Sequence, residues 1–182
     1  MIKLKVIAIS GRAQHGKDTT AMMLRDELQG KGYSVCITHY GDLLKYICKT
    51  YFGWNGEKDE EGRGLLQNVG TEIVRAQVPD FWADFIKNII KLFNDKWDYM
   101  IIADARFPNE VSGFDEIVEQ FTHIRINRQT INDKLTNNQR NHSSETALLN
   151  IKPDFYIQNN GTLEDLKTIV HDWVENTIVN GG

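Results

Sequence analysis

A glycine-rich loop near the amino terminus constrains the fold of this chain more than any other feature. Residues 10–21 read SGRAQHGKDTTA, in which Gly11, Gly16 and Lys17 have the spacing of a phosphate-binding loop. The loop follows the apolar run LKVIAIS (4–10) and precedes a segment with helical apolar spacing, which is the context that such a loop requires. Backbone N–H groups at the helix start would then surround a polyphosphate, and Lys17 would reach its β- and γ-phosphates. The alternative, a plain glycine turn, leaves Lys17 without a role.

The residues after the lysine predict how a nucleotide and its cation are held. Thr19 is expected at the α-phosphate, and Thr20 is grouped with the nucleotide-binding residues. Asp18 stands where such loops usually carry a Ser or Thr that binds Mg²⁺. A carboxylate is favourable at a helix N-terminus, but beside a polyphosphate it is repulsive unless a cation lies between them. We therefore expect Asp18 to bind Mg²⁺, directly or through water. The alternative is that it only supports the helix start.

Apolar runs and helical patterns alternate along the chain, which predicts a doubly wound α/β fold. Helical spacing between the runs includes a segment around Leu66 and Val74, a strongly amphipathic one with Asp80 as N-cap, one over 111–121, and a last one capped by Thr162. The runs are apolar over most of their length, which is typical of strands that are buried on both faces, as in a parallel sheet. The predicted strands are 4–10, 34–40, 99–105, 122–128 and 154–159.

Two intervals are longer than a simple strand-to-strand crossover needs. Residues 41–98 hold at least two helices and an acidic polar loop, and residues 129–147 are polar without an apolar period. A long polar segment inside a compact domain is often a functional lid. A disordered surface loop explains residues 129–147 equally well.

The composition limits the classes of binding partner and the cellular location that are expected. The 182 residues carry a formal net charge of -4, which argues against a nucleic-acid polymer as the main partner. The two cysteines, Cys36 and Cys48, have no disulfide or zinc spacing, so a reducing cytoplasm is expected. The amino-terminal apolar run is too short for a signal sequence, and no stretch is long enough to span a membrane.

Charged side chains at predicted strand and helix ends are candidates for the chemistry. Asp104 ends an apolar strand, where a carboxylate can hold Mg²⁺ or accept a hydrogen bond from an attacking group. Arg106 can pair with a phosphate or form a surface ion pair. Arg75 lies on an otherwise apolar helix before Trp82, so the two can bind a phosphate and a base, or be a solvated Arg beside a core Trp.

Several segments together resemble the deoxynucleoside monophosphate kinases of bacteriophages and related bacterial proteins, in the P-loop nucleoside monophosphate kinase superfamily. The resemblance extends from about residue 4 to residue 175. The family resembles this chain in having an Asp directly after the loop lysine, where Asp18 stands here. The segments are GRAQHGKDTTA, HYGDLLKYIC, LLQNVGTEIVRAQVPDFW, IIADARFPNE, NHSSETAL and PDFYIQNNGTLEDL.

The resemblance implies one P-loop kinase domain over 1–182, with a five-stranded parallel sheet, a monophosphate-binding insertion at 41–98 and a lid at 128–147. It implies that Asp104 and Arg106 lie between two nucleotides, and that Asn159 and Gly161 run near the ATP adenine. Lid residues Arg128 and Arg140 are expected to approach the transferring phosphoryl group. The residues implied to line the monophosphate site are Asp42, Lys45, Gln67, Arg75 and Trp82.

One departure from the family concerns the turn after the second strand. Relatives often read Ala-Asp-Pro-Leu-Lys there, whereas this chain has Gly41-Asp42-Leu43-Leu44-Lys45. Loss of the proline alters that turn, which leaves the roles of Asp42 and Lys45 open.

The sequence therefore predicts a cytoplasmic kinase that moves the γ-phosphoryl group of ATP to a deoxynucleoside 5′-monophosphate with Mg²⁺. The alternatives are a P-loop kinase for another small phosphorylated metabolite and a non-catalytic nucleotide-binding regulatory module. The family also suggests a homodimer, although the sequence itself leaves the oligomeric state and the base preference open.

Overall fold

The computed structural model describes residues 3–129 and 136–179 of the chain. Its centre is a sheet of five parallel strands in the spatial order β2-β3-β1-β4-β5. Each strand lies within about two residues of its predicted position, so the predicted parallel α/β sheet is confirmed. The strands are β1 (Lys5–Ser10), β2 (Val35–Thr38), β3 (Tyr99–Ala105), β4 (Gln120–Asn127) and β5 (Phe155–Gln158).

Helices fill the connections between the strands. The hydroxyl of Thr162 accepts from the N–H of Asp165, whose carboxylate accepts in return from the N–H of Thr162, so the predicted cap of α7 is a capping box. Asp80 precedes α4 as predicted, but its carboxylate accepts from Asn109 Nδ2 and not from the helix. The helices are α1 (Lys17–Gly30), α2 (Gly41–Tyr51), α3 (Glu60–Gln67), α4 (Phe81–Phe93), α5 (Asn137–Asn141), α6 (Ser143–Thr146) and α7 (Leu163–Val174).

Both faces of the sheet are buried, because alternate side chains of β1 point to opposite sides. Ile7 and Ile9 pack with α1 and α7 on one face. Val6 and Ala8 pack with α4 and Phe114 on the other face. Full burial of a side chain of isoleucine size contributes about 1.5–3 kcal/mol, so these two layers hold the sheet and fix where its strand ends lie.

The predicted helix over residues 111–121 is wrong. The segment runs as turns from a short 3-10 helix (Pro108–Glu110) into β4, which already contains Phe121. Gly113 has a φ of +73°, a left-handed conformation that interrupts a helix. The apolar spacing has a different origin, since the rings of Phe114 and Phe121 stack with centroids 4.4 Å apart in the core.

The predicted helix around Leu66 and Val74 is confirmed but is longer and less regular than expected. Helix α3 continues directly into a π-helical segment (Asn68–Arg75), which packs with α2 in a small separate apolar cluster around Cys48 and Trp54. Wide helical turns of this kind recur at functional sites. The last residue of the segment is Arg75.

The sheet order brings the chemically interesting segments together. Strand β1 lies between β3 and β4, so the glycine-rich loop after β1 is next to the carboxyl end of β3 with Asp104. Ligands of open α/β sheets bind beyond these carboxyl ends. Within residues 3–129 and 136–179, no helix is long and apolar enough to cross a membrane.

Candidate active site

The backbone of the glycine-rich loop requires its glycines. Gly16 has a φ of +95°, and a Cβ there would lie 2.6 Å from Nδ2 of Asn159. Gly11 has a φ of +150°, and its Cβ would lie 2.5 Å from the carbonyl oxygen of Ile126. Gln14 also has a positive φ, of 64°. The loop is therefore held in one shape between α1 and the ends of the neighbouring strands.

Asn159 braces this loop from behind. Its side chain is buried, Nδ2 donates to the carbonyl oxygen of His15 at 2.9 Å, and its backbone N–H donates to Asn127. Gly161 is exposed and lies beside Asp165. The amide of Asn159 thus has a structural partner that sequence reasoning did not foresee. Contact of Asn159 or Gly161 with an adenine stays a prediction.

Replacing Asn159 by alanine is expected to destabilise the protein by about 1–2 kcal/mol, because the buried His15 carbonyl loses its donor. Urea unfolding of the purified variant measures this cost. The matched control is Asn160→Ala, because Asn160 is exposed and its amide oxygen accepts from the N–H of Gln129. Equal costs for the two variants would contradict a bracing role.

Lys17 is a buried cation at the start of α1. Its Nζ donates to the carbonyl oxygens of Gly11 and Arg12, at 2.7 and 2.9 Å. Burial, followed by the nearby charge of Arg106, lowers the pKa of Lys17 to about 8. An anion at the loop would stabilise the charged ammonium, so the position is suited to a phosphate.

The two threonines after Asp18 differ in their surroundings. Thr20 is fully buried, and its hydroxyl donates to the carbonyl oxygen of Gly16 at 3.0 Å. Thr19 is half-buried in the first turn of α1. The predicted contacts of both residues with a nucleotide stay predictions, and the Thr20 hydroxyl would have to keep or exchange its helical partner.

Asp18 is the first member of a chain of charged groups that links the loop to α2. Its Oδ1 lies 3.2 Å from Nε2 of His39, while Nδ1 of His39 lies 3.1 Å from Oδ2 of Asp42. Lys45 Nζ donates to Asp42 Oδ1 at 2.9 Å. The hydrogen bond between Asp18 and His39 lowers the pKa of Asp18 and raises the pKa of His39. His39 thus supplies the Asp18 carboxylate with a hydrogen-bond partner.

Asp104 fastens the start of α2 to the end of β3. Its Oδ1 accepts from the N–H of Tyr40 at 2.7 Å, and its Oδ2 accepts from the N–H of Gly41 at 3.0 Å. In the part of the chain that the structure describes, no three His, Cys, Asp or Glu side chains form a metal site by themselves. Mg²⁺ commonly takes only one or two protein carboxylates beside phosphates and water, so the metal roles of Asp18 and Asp104 stay predictions.

Arg75 is held firmly at the end of the π-helical segment. Its Nη1 donates to Pro79 O at 3.0 Å and to Asn109 Oδ1 at 3.1 Å, and its Nη2 donates to Glu110 Oε1 at 2.5 Å. The guanidinium carbon lies 3.8 Å from the centroid of the Phe107 ring. Nε is buried and has no hydrogen-bond partner among the described residues. The Nε–H group therefore has a hydrogen-bonding capacity that no described residue uses.

Arg106 joins the predicted lid to the loop. Its Nη1 donates to the carboxylate of Glu145 and, at 2.9 Å, to the carbonyl oxygen of Ser144. The other carboxylate oxygen of Glu145 accepts from the N–H of Ala13 at 2.9 Å. Burial works to raise the pKa of Glu145, but the charge of Arg106 leaves that pKa below its usual value. An anionic group thus already lies against the loop and Arg106.

These groups line a cavity of about 440 Å³ at the carboxyl ends of the strands. Asp42 does not line it but contacts Lys45, which does. Lys and Arg outnumber Asp and Glu among the residues that line the cavity, which suits a phosphorylated ligand. The lining residues that the sequence predicted for the site are Lys17, Asp18, Lys45, Gln67, Arg75, Trp82, Asp104 and Arg106.

Trp82 contributes less to the cavity than its size suggests. Its ring is almost fully buried, and its Nε1 donates to the carbonyl oxygen of Gly70 at 2.9 Å. The ring therefore supports the π-helical segment that ends at Arg75. Its contact with an acceptor base stays a prediction.

The two predicted lid arginines lie apart from the cavity lining. The backbone N–H of Arg128 lies 3.3 Å from His15 Nδ1, and Nη1 of Arg140 donates to Asn137 Oδ1 at 3.3 Å. Residues 130–135 of the predicted lid lie outside the described residues. The approach of either arginine to a phosphoryl group stays a prediction.

Sequence reasoning missed several groups of the cavity. Glu110 and Glu145 have no predicted role, although they lie in two segments that carry the family resemblance, IIADARFPNE and NHSSETAL. His39 was read only as part of a strand. Lys58, just before α3, and Arg63, within α3, also line the cavity. Both come from the stretch that the sequence predicts as an acidic polar loop, where no pattern marks them.

Comparisons with known proteins agree with this architecture. The model of the deoxynucleotide monophosphate kinase family matches residues 45–170. No curated protein matches the chain. Among solved structures, a sugar kinase from Janibacter sp. has a TM-score of 0.56 at 13% identity, covering 94% of this chain and 95% of its own.

Two further solved structures are similar along most of the chain. A protein designated APE1195 has a TM-score of 0.55 at 18% identity over 98% of both chains. The APS kinase CysC of Mycobacterium tuberculosis, in complex with AMPPNP and APS, has a TM-score of 0.54 at 11% identity, covering 96% of this chain and 99% of its own. At these identities the likeness shows the fold, which is that of P-loop kinases.

Proposed function

The chain belongs to the deoxynucleotide monophosphate kinase family, and we propose that it transfers the γ-phosphoryl group of ATP to a deoxynucleoside 5′-monophosphate. The products are ADP and a deoxynucleoside diphosphate. The observation that carries this proposal is the placement of Arg75. It lies in the same cavity as Lys17, with its guanidinium fixed and its buried Nε unpaired among the described residues. In this proposal Lys17 belongs to the donor phosphate site on the loop, and Arg75 belongs to the acceptor phosphate site in the same cavity.

On the donor side, the loop from Gly11 to Lys17 would hold the ATP phosphates through its N–H groups. Lys17 would exchange its two carbonyl partners for phosphate oxygens, and Thr19 and Thr20 follow it in the first turn of α1. Part of the energy of binding comes from the N-terminus of α1, where the partial positive charge favours anions. Asn159 and Gly161 lie at the end of β5, on the side where the adenine is proposed to bind.

On the acceptor side, Arg75, which lines the cavity, would bind the monophosphate. Lys45 and Gln67 line the same wall, and Asp42 orients Lys45 by their 2.9 Å contact. In this proposal residues 41–98 form the acceptor-binding insertion and residues 128–147 form the lid. The described part of that lid already contacts the insertion, through His142 and Glu72, at 3.2 Å.

The reaction needs little covalent help from the protein, since a phosphate oxygen of the acceptor is already a nucleophile. Lys17 and Arg106 would neutralise charge as it shifts between the two nucleotides, while Arg75 aligns the acceptor oxygen. Closure of the lid keeps water from taking the phosphoryl group. Arg128 and Arg140 are the proposed lid charges.

A magnesium ion bound with ATP would supply further charge neutralisation at the phosphates. The exposed oxygens of Asp18 are suited to hold it, because Mg²⁺ prefers oxygen ligands and retains several waters. Asp104 is a second candidate, although both of its oxygens already accept backbone N–H groups. The protein is proposed to act in the cytoplasm on small molecules, without nucleic acid or membrane.

Replacing Asp18 by alanine is expected to raise the Mg²⁺ concentration needed for half-maximal rate and to lower kcat more than it lowers stability. Asp18→Ser should keep much of the activity, because a serine hydroxyl is the more usual ligand there. Rates over a Mg²⁺ titration measure both effects, with Asp26→Ala as an exposed control on the same helix. If both variants match the wild type at limiting Mg²⁺, Asp18 only supports the helix start.

The proposed function is tested by incubating the purified protein with ATP, Mg²⁺ and each of the four deoxynucleoside monophosphates. We expect ADP and a diphosphate to form in equal amounts with at least one acceptor. Ribonucleoside monophosphates and other small phosphorylated metabolites serve as comparison substrates. Slow ATP hydrolysis without phosphorylation of any nucleotide would overturn the proposal.

A further inference from the structure

Glu110 is a buried carboxylate to which the proposed reaction gives no direct task. It is the last residue of the 3-10 helix (Pro108–Glu110), and its side chain is 3% exposed. Oε1 accepts from Nη2 of Arg75 at 2.5 Å. Oε2 accepts from the backbone N–H groups of Arg106 and Phe107, at 2.7 and 3.1 Å. One carboxylate therefore contacts both the acceptor-side arginine and the backbone of the arginine between the two sites.

Burying the charged carboxylate of Glu110 costs free energy, and the fold alone does not require a charge at this position. Burial raises the pKa of Glu110, even though the charge of Arg75 works in the opposite direction. Asp104 and Tyr40 also face Glu110, and the Tyr40 hydroxyl donates to its backbone carbonyl oxygen at 2.7 Å. A neutral side chain that capped the turn would avoid placing a charge here. The carboxylate instead matches the guanidinium of Arg75.

Every neighbour of Arg75 in the turn restrains a different part of the guanidinium. Phe107 covers its face, Asn109 binds Nη1 and Glu110 binds Nη2. An arginine side chain has many rotamers when it is free, and ordering them during binding weakens affinity. Glu110 supplies the charged partner of this set, and charge-assisted hydrogen bonds are the stronger ones.

We propose that Glu110 is a positioning residue that holds the guanidinium of Arg75 in place for the acceptor phosphate, and that it ties this orientation to the backbone of Arg106. The proposal rests on the proposed function for its substrate, but not for the geometry of Arg75. Glu110 would act before the acceptor arrives, by keeping the acceptor-phosphate site formed in the free protein.

The decisive variants are Glu110→Gln, which keeps the shape and removes the charge, and Glu110→Asp, which keeps the charge on a shorter side chain. For Glu110→Gln we expect the acceptor KM to rise about ten- to hundredfold, in line with the loss of a hydrogen bond to a charged group. The KM for ATP should change less than about twofold, and kcat should change less than the acceptor KM. Glu110→Asp should recover part of the acceptor affinity. Glu116→Gln is the exposed control.

A second readout does not depend on activity. The buried Nε–H of Arg75 should give a slowly exchanging side-chain NMR signal, assigned by its loss in Arg75→Lys. In Glu110→Gln we expect this signal to shift or broaden while the signals of the β-sheet amides stay in place. Failure of the wild type to phosphorylate any acceptor would sink the proposed function alone, since the NMR comparison still tests the geometry.

Two results would overturn the positioning role. The first is an unchanged acceptor KM and an unchanged Arg75 signal in Glu110→Gln. The second is an equal loss of affinity for ATP and acceptor that follows a lower melting temperature, because that pattern indicates a purely structural carboxylate.

Discussion

Replacing Lys17 by methionine is expected to lower kcat about a thousandfold and to leave the protein folded. Under the proposed function the ammonium group is the cation that reaches the β- and γ-phosphates. Removal of one charge-stabilising group from a phosphoryl-transfer site costs about 10²–10³ or more in rate. Methionine is unbranched like lysine, is one atom shorter and keeps most of the volume of the side chain. The measurement is a steady-state rate at saturating ATP and acceptor.

The stability of this variant separates chemistry from folding. Lys17 is 8% exposed, and its loss leaves the carbonyl oxygens of Gly11 and Arg12 without their donor. The same substitution removes a buried charge, whose low pKa shows that burial is unfavourable to it. These effects oppose each other, so we expect a change in unfolding free energy within about 1 kcal/mol. Lys96→Met, at an exposed lysine paired with Asp95, is the control for both measurements. A rate within tenfold of wild type would contradict the role of Lys17.

The sheet could be predicted from the sequence because its signals are local. Each strand is a short apolar run, and the glycine spacing before Lys17 fixes the strand–loop–helix unit by itself. The helix predicted over residues 111–121 is wrong because local apolar spacing was its only support. Its apolar spacing arose from a turn and a strand whose aromatic rings meet in the core, and periodicity cannot distinguish that from a helix face.

The candidate site could be predicted only in part, for a related physical reason. Cationic side chains such as Lys17 and Arg75 stand out beside motifs or on apolar helices. The carboxylates that contact cationic side chains do not stand out in the sequence, because their roles depend on distant contacts. Glu145, for example, accepts from the N–H of Ala13, which is 132 residues away. The amide of Asn159 likewise supports the loop over a separation of 144 residues. Such pairings follow from the order of strands in the sheet, which no short segment encodes.

Replacing Arg106 by glutamine is expected to lower kcat by about 10²–10⁴ under the proposed function. Its guanidinium lines the same cavity as Lys17, where charge would build up as the phosphoryl group moves. The substitution alone is ambiguous, because it also leaves the Glu145 carboxylate, 5% exposed, without its charged partner. Loss of a partner at a buried charge destabilises by about 1–3 kcal/mol, so a fall in activity could come from local unfolding.

The double variant Arg106→Gln with Glu145→Gln removes that ambiguity. Its two neutral amides can still hydrogen-bond to each other, and the Glu145→Gln side chain can still accept from the N–H of Ala13. We therefore expect urea unfolding to show most of the lost stability restored, while kcat stays as low as in Arg106→Gln. Glu145→Gln alone is expected to retain far more activity than either variant that lacks Arg106, and Arg25→Gln, at an exposed arginine paired with Asp26, is the matched control. If the double variant regains activity together with stability, Arg106 acts by holding the lid segment against the loop and not by stabilising the transferred group.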